Sequence, residues 1–300
     1  TDEGIKEQFR ALAKAESCAE QKIWQIVEED EIEYKLKSII AYSRKEATLE
    51  EARALNLCND YTTDITTAVK DADLVVLGIP VGANVSVARL IGPALKIGSI
   101  VTDVGSVKQS VIKDVSPYLP DGVHLVPGHP VAGTEHSGPG AGFPELFKGR
   151  WCILTPESTT DPAATESIRN FWINAGMQVD IMDASHHDQV LAITSHLPHL
   201  IAYTIVGTAT DLEEQTKHDV VRFSATGFRD FTRIAASDPI MWRDVFLNNR
   251  EAVLEMLQRF NEDLSYLQRA IRWSEGEKLE NLFTRTMEIR RSIIEEGQDK

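Results

Sequence analysis

The sequence predicts an α/β fold, a doubly wound, Rossmann-like parallel sheet domain followed by an all-helical region, and three observations carry that prediction. Between about Lys37 and Met182, short apolar runs rich in β-branched residues alternate with helical stretches, the pattern of a parallel sheet with crossover helices. Most of these runs are apolar at successive positions, as strands buried on both faces are. From Ser185 onward, long helical patterns follow one another with no convincing strand between them. The expected division is residues 1–37 as an atypical, charged helical segment, 38–183 as the sheet domain and 184–300 as the helical domain.

Taken in order, the expected strands are Ser38–Tyr42, Leu74–Ile79, Ser99–Thr102, His124–Val126, Trp151–Leu154 and Gln178–Ile181. Helices Ala47–Leu55, ended by Asn56, then Ile65–Lys70, Ala83–Leu95 and Val107–Val115 supply the crossovers. His187–Ala209 and Met241–Ile271 are the long helical patterns of the second domain. In the latter, Val253, Leu257, Phe260, Leu264 and Leu267 share one face, the spacing that core or dimer packing requires.

At 300 residues, 42% apolar and 26% charged, the chain has the composition of a soluble two-domain protein. Its net charge of −15, with no compensating basic run, excludes a phosphate-backbone binder. No apolar run approaches the roughly 20 residues that cross a bilayer. The acidic start, with Asp2, Glu3 and Glu7, is unlike a signal peptide, so a cytoplasmic location without membrane partners is expected. Cys18, Cys58 and Cys152 are an odd number without C-x-x-C spacing, which indicates neither a disulfide framework nor a zinc knuckle. The chain opens on Thr1 rather than Met, as a trimmed or partial product does.

Four constellations could carry chemistry. Asp103-Val104-Gly105-Ser106-Val107-Lys108 lies where a strand ends and a helix begins, the place where open α/β sheets bind ligands. Gly105 allows a tight turn there, and Ser106 is either a functional hydroxyl or simply the helix N-cap. The second, Pro127 to Gly138 (P-G-H-P-V-A-G-T-E-H-S-G), reads as a Gly/Pro-punctuated loop in which His129 is either a general base near neutral pH or a solvated bystander. In the third, Ser195-His196-Leu197-Pro198-His199, Pro198 interrupts a helix and the two histidines share roughly one face. A metal site there lacks a carboxylate or thiol at ligand spacing. The fourth runs from Gly227 to Trp242, where Arg233 sits among apolar neighbours and its charge calls for an anionic partner from protein or substrate.

Together, D-V-G-S-V-K, G-H-P-V-A-G-T-E-H-S-G, S-H-L-P-H and F-R-D-F-T-R-I-A-A-S-D-P-I-M-W, in this order, resemble the prephenate and arogenate (cyclohexadienyl) dehydrogenase family over roughly Ile39–Ile271. The resemblance implies a dinucleotide-binding domain, a helical domain that forms a homodimer, and oxidative decarboxylation of prephenate or arogenate on the route to tyrosine. It implies that His129 draws the proton from the substrate's ring hydroxyl, that Ser106 orients His129 and that hydroxyl, and that Arg233 binds a substrate carboxylate. His199, Thr134, Glu135, Ser195 and Asp230 match positions that line or gate the family's pocket. No metal is required.

At the end of Ser38–Tyr42, which takes the place of a dinucleotide domain's second strand, Ser43-Arg44 stands where an NAD enzyme carries the acidic residue for its ribose hydroxyl, which favours the 2′-phosphate of NADP over NAD. Pro80, Val81, Asp103 and Gly105, also near strand ends, complete the cofactor-binding candidates. A dinucleotide domain should also begin with G-x-G-x-x-G about 30 residues before Tyr42. Residues 1–38 hold a single glycine, Gly4. A replaced or misread N-terminus, a rearranged cofactor site and a loss of dinucleotide binding are the competing explanations. The last would make the chain a non-catalytic binding or dimerising homologue. A 3-hydroxy acid dehydrogenase of similar architecture is a further alternative, disfavoured because no Lys falls at helical spacing to serve as its base.

Overall fold

The computed structural model of the chain describes residues 38–133, 138–143, 145–211, 219, 222–223 and 225–295. β1 (Ile40–Tyr42) and β2 (Asp60–Thr62) pair in parallel, with Ile40 opposite Asp60. β3 (Leu74–Leu77), β4 (Ile100–Asp103) and β5 (His124–Leu125) form a second parallel sheet in that order. β6 (Gly128–Pro130) is antiparallel to β7 (Trp151–Leu154), which is parallel to β8 (Gln178–Ile181). The second sheet leads directly into the third, because Val126 N–H donates to Val101 O and Thr155 N–H to Pro127 O, each at 2.9 Å.

The expected strands all form, some shorter than expected, and two more join them. β2 carries the polar sequence Asp-Tyr-Thr, with Asp60 exposed and Tyr61 and Thr62 half-buried, so it lacks the apolar run that marked the others. β6 corrects the expectation of a loop: Gly128, His129 and Pro130 are all buried and paired with Leu154, Ile153 and Cys152. Gly and Pro are poor strand formers in isolation, and here the ladder to β7 overrides their propensity.

The crossovers are α1 (Glu46–Ala54), α2 (Ile65–Val69), α3 (Asn84–Ile91), α4 (Gln109–Val115) and α5 (Pro162–Asn174). Asp64 and Asp161 accept N–H bonds at the starts of α2 and α5, satisfying amides that have no partner inside the helix. Val69, Val75, Ile91, Val101 and Val111, each at most 1% exposed, fill the core between β3–β4 and the helices. A second core under β7 centres on Trp172, whose ring meets Phe147 and Phe171 edge-on.

α6 (Ala184–Leu191), a wide π-helical turn (Ala192–His196) and α7 (Leu197–Thr210) make one continuous helix. Pro198 therefore does not interrupt it. The helix widens just ahead of the proline, with Leu197 N–H donating to Ala192 O, and the extra residue accommodates a ring that would clash in a regular turn. At 27 residues, with a mean hydropathy of 1.4 over its most apolar window, this helix is long and apolar enough to span a bilayer, which the sequence reading did not expect. Its His187, Asp188 and His196 are nonetheless fully buried within the fold.

α8 (Thr226–Thr232) runs into a 3-10 turn (Arg233–Ala236), and α9 (Pro239–Asn248) follows, capped by Asp238. The expected helix Met241–Ile271 is broken at Asn249 (φ −111, ψ 34), after which α10 (Arg250–Arg272) begins. The chain divides into two compact units after Val253. The second holds the rest of α10 and α11 (Gly276–Glu295), joined through Ser274 at φ 53. Tyr266, Ile271, Trp273 and Phe283 are between 48% and 67% exposed, an apolar surface suited to association.

Candidate active site

The site grows from the end of β4. Asp103 is buried there, and its carboxylate accepts Gly105 N–H at 2.8 Å, Gly128 N–H at 3.2 Å and the Lys108 ammonium at 2.5 Å. Lys108 is entirely enclosed and also donates to the Gly128 carbonyl. A Cβ at Gly105 would lie 3.0 Å from Asp103 Oδ2, so glycine serves the close approach rather than an unusual backbone angle. Burial pushes the Asp103 carboxyl up, opposed by the Lys108 ammonium and the two amides.

The helix expected to start at Val107 starts at Gln109, so Ser106 is not its N-cap. The Asp188 carboxylate, from α6, takes that place: it accepts Lys108 N–H at 2.8 Å and Gln109 N–H at 3.0 Å. A charged acceptor at a helix N-terminus satisfies orphan amides and meets the positive end of the helix dipole, together worth about 1 kcal/mol or more.

His129, in the middle of β6 and 7% exposed, places Nδ1 at 2.8 Å from His187 Nε2. His187 in turn places Nδ1 at 2.9 Å from Asp188 Oδ1. Burial holds His129 well below the usual imidazole range, helped by His187, Lys108 and His196. Burial also lowers His187, against the pull of Asp188. For Asp188, burial pushes upward, but the hydrogen bonds from His187 and from the Lys108 and Gln109 amides prevail and hold it below the ordinary carboxylate range. His129 and His187 are thus neutral and Asp188 is ionised at neutral pH.

A second chain runs beside the first. Asn249 Nδ2 lies 2.8 Å from the Asp188 carbonyl and 3.0 Å from His196 Nδ1. Burial lowers His196 to about 4. The Ser106 carbonyl opposes that shift weakly, although His196 Nε2 makes no well-formed hydrogen bond. His199 Nδ1 donates to Ser195 O at 2.9 Å, and its ring stacks on Trp242 at 3.6 Å between centroids.

The sequence-predicted residues divide into two groups. His129, Ser106, Ser195 and His199 belong to this half-buried or buried cluster. Ser106 makes no hydrogen bond to His129 among the described residues; His187 is the partner that orients the ring. Asp230 and Arg233 are exposed, on α8 and at the turn that follows it. Burial lowers His199, opposed by its bond to the Ser195 carbonyl, and the Arg233 charge adds a smaller push in the same direction as burial. Thr134 and Glu135 lie outside the described residues. His187, Asp188, Lys108, Asn249 and Trp242 were assigned no role from sequence. A buried lysine in D-V-G-S-V-K and an Asp next to a His at the start of an apolar helix were the only signals available.

The cofactor candidates lie at or just beyond the C-terminal ends of β1, β3 and β4, the edge at which such sheets hold dinucleotides. Ser43, 2% exposed, follows β1 and accepts Lys45 N–H at 3.2 Å, while Arg44 is exposed. Pro80 and Val81 open the 3-10 turn (Val81–Ala83) after β3. There the Asp244 carboxylate packs against Gly82, and a Cβ at that glycine would meet Asp244 Oδ2 at 2.6 Å and displace it. Asp103 carries its charge into the protein toward Lys108, not toward this edge. The place where a glycine-rich loop would fall lies in residues 1–37, whose sequence holds only Gly4 and which are outside the described residues.

The model of the prephenate dehydrogenase nucleotide-binding domain matches residues 33–181, and that of the prephenate dehydrogenase dimerization domain matches residues 183–285. A cyclohexadienyl dehydrogenase of Zymomonas mobilis is 44% identical over 256 residues, covering 85% of this chain and 87% of its own. A prephenate dehydrogenase of Bacillus subtilis is 34% identical over 254 residues, covering 82% of this chain and 66% of its own. Among solved structures, prephenate dehydrogenase from Aquifex aeolicus in complex with hydroxyphenyl propionate and NAD+ superimposes with a TM-score of 0.78 at 34% identity, covering 87% of this chain and 90% of that one. The buried histidine cluster, the strand-end edge and these matches over both domains lead to one conclusion: the chain belongs to the prephenate dehydrogenase family.

Proposed function

We propose that the protein oxidatively decarboxylates prephenate, arogenate or both, yielding 4-hydroxyphenylpyruvate or tyrosine, with NADP preferred over NAD. The observation that carries this reading is His129: a neutral imidazole, buried beside the cofactor edge, with one nitrogen tied to His187 and no hydrogen bond at the other among the described residues. A bound nicotinamide supplies the hydride acceptor. His129 Nε2 takes the proton of the substrate's ring hydroxyl as the adjoining carbon is oxidised. The ring carboxylate then leaves as carbon dioxide, its bonding pair completes the aromatic ring, and the phenolate oxygen so formed takes the proton back from His129, so the protein contributes chiefly positioning and one base that is regenerated.

Ser106 positions the same hydroxyl from the turn ahead of α4, and Arg233 holds a substrate carboxylate through its two-pronged guanidinium. His199, Ser195, Asp230, Thr134 and Glu135 line or gate the pocket in this reading. The preference for NADP rests on Ser43 and Arg44, which offer a hydroxyl and a cation where a ribose-binding carboxylate would repel a 2′-phosphate. The enzyme acts in the cytoplasm as a homodimer, a reading supported by the matched dimerization domain and the apolar residues exposed on α10 and α11.

Turnover of prephenate and of arogenate, each with NADP and with NAD, tests the proposal. The expected result is dehydrogenation of at least one substrate, with a higher kcat/KM for NADP. Failure of all four combinations, with no dinucleotide bound by calorimetry, contradicts it.

A further inference from the structure

We infer that Asp188 and His187 are positioning residues that fix the tautomer of His129, keeping its proton on Nδ1 and its lone pair on Nε2, toward the substrate. With both rings neutral, the donors and acceptors along the chain from Asp188 to His129 match in one way only. Asp188 accepts from the amides of Lys108 and Gln109, and its Oδ2 also faces Gln109 Nε2 at 3.3 Å. It is an acceptor throughout, so the 2.9 Å contact to His187 requires a proton on His187 Nδ1. A neutral His187 then has only a lone pair at Nε2. The 2.8 Å contact to His129 therefore requires the proton on His129 Nδ1. A neutral His129 is left with its lone pair on Nε2, the form that can act as a base.

The opposite arrangement would need His187 to be a cation, donating from both nitrogens to Asp188 and to His129. His187 is fully enclosed, and the Lys108 ammonium already occupies the neighbourhood. A second buried cation is the costlier choice. His129 would then present Nε2–H, a donor unable to take a proton.

The groups that bear on His129 from the packed elements are His187 of α6, Lys108 ahead of α4 and His196 of the wide turn, while Asp188 of α6 and Asp103 at the end of β4 bear on His187. When His129 accepts a proton, the imidazolium forms against His187 Nε2, with the Asp188 carboxylate one ring further on. The parallel chain obeys the same logic. Asn249 donates to the Asp188 carbonyl and to His196 Nδ1, which leaves the His196 proton on Nε2 near the Ser106 carbonyl. Asp188 thus anchors both the base and the turn that carries Ser106.

The assignment of His129 as base rests on the proposed dehydrogenase reading, whereas its tautomer does not, so the test has two arms. In the first, ring-nitrogen NMR of histidine-labelled protein, with His129 assigned by its disappearance in His129→Asn, is expected to show a protonated Nδ1 and an unprotonated Nε2. A protonated Nε2 in the wild-type protein overturns the inference whether or not the enzyme is active. The second arm compares His187→Gln, whose amide oxygen can still accept the Nδ1 proton, with His187→Leu, which cannot.

His187→Leu should lower kcat roughly 100- to 1,000-fold, within the range of a positioned general base, and leave the substrate KM within about threefold. His187→Gln should recover most of that loss. Equal activity of the leucine and glutamine variants, both folded as judged by circular dichroism, contradicts the positioning role. Asp188→Asn, which puts a donor where the carboxylate accepts, should shift the acid limb of the kcat profile and redistribute the His129 tautomers. An unchanged limb with unchanged nitrogen shifts contradicts the inference as well.

Discussion

The two sides of the site are built in opposite ways. Around His129 the polar groups are enclosed and matched: Lys108 to Asp103, Asp188 to His187 and two amides, Asn249 to His196. Around Arg233 the side chains are open, with Asp230, Phe231 and Arg233 all exposed on α8 and the turn behind it. The enclosed side is preorganised at low dielectric, where a fixed donor or acceptor counts for most in the chemical step. The open side can meet an anion without first being stripped of water. Proton transfer is therefore expected to depend on the first side and affinity on the second.

The largest effect should come from His129→Asn, which removes the base: a fall in kcat of roughly 100- to 10,000-fold with little change in KM. A loss seen mainly in KM would place the binding function on the wrong side. Arg233→Ala should do the reverse, raising KM for substrate about 10- to 100-fold, as loss of a charge-assisted carboxylate contact does, with kcat changed only a few-fold. A large fall in kcat at unchanged KM would break the division. Arg44→Ala should cost about two- to fivefold in kcat/KM for NADP and little for NAD, in line with one exposed cation on a phosphate. Equal losses for both cofactors would remove Arg44 from the choice.

The enclosed side also carries a pH signature. His129, His187 and His196 are all held below 6.5 in the fold. Below that value the unfolded chain binds protons that the folded chain refuses, so their contribution to stability is complete above about pH 6.5 and is lost as pH falls. For His196 the window runs from 6.5 down to about 4. The Tm should decline already between about pH 6.5 and 5, above the main carboxylate range. A flat or rising Tm there would mean that the histidines are not held neutral. Activity should have the same sign, since a base protonated at low pH cannot act, and its acid limb should fall below the ordinary imidazole value.

Much of the sheet was legible because successive apolar residues announce buried strands, as in Leu74–Leu77 and Trp151–Leu154. β2 and β6 were not, because one is a short polar strand and the other is built from Gly, His and Pro, whose pairing depends on β7. Ser106, His129, His199 and Arg233 stood out because they sit in punctuated or charge-bearing motifs. Asp188 could not: its partners Lys108 and Gln109 lie 80 and 79 residues away, and nothing local marks a carboxylate that caps a distant helix. Asn249 was hidden inside an unbroken helical periodicity, although its side chain joins Asp188 to His196 where the helix breaks. Such long-range polar matching is set by the packing of elements, not by the pattern within any one of them.

Whether the enclosed histidine cluster serves a decarboxylating dehydrogenase is tested most directly by counting reduced nicotinamide and carbon dioxide in one sample of the purified chain supplied with prephenate or arogenate and NADP or NAD. The expected result is equal amounts of both products, formed at the same rate. Carbon dioxide without reduced nicotinamide, or neither product with any pairing, would contradict it.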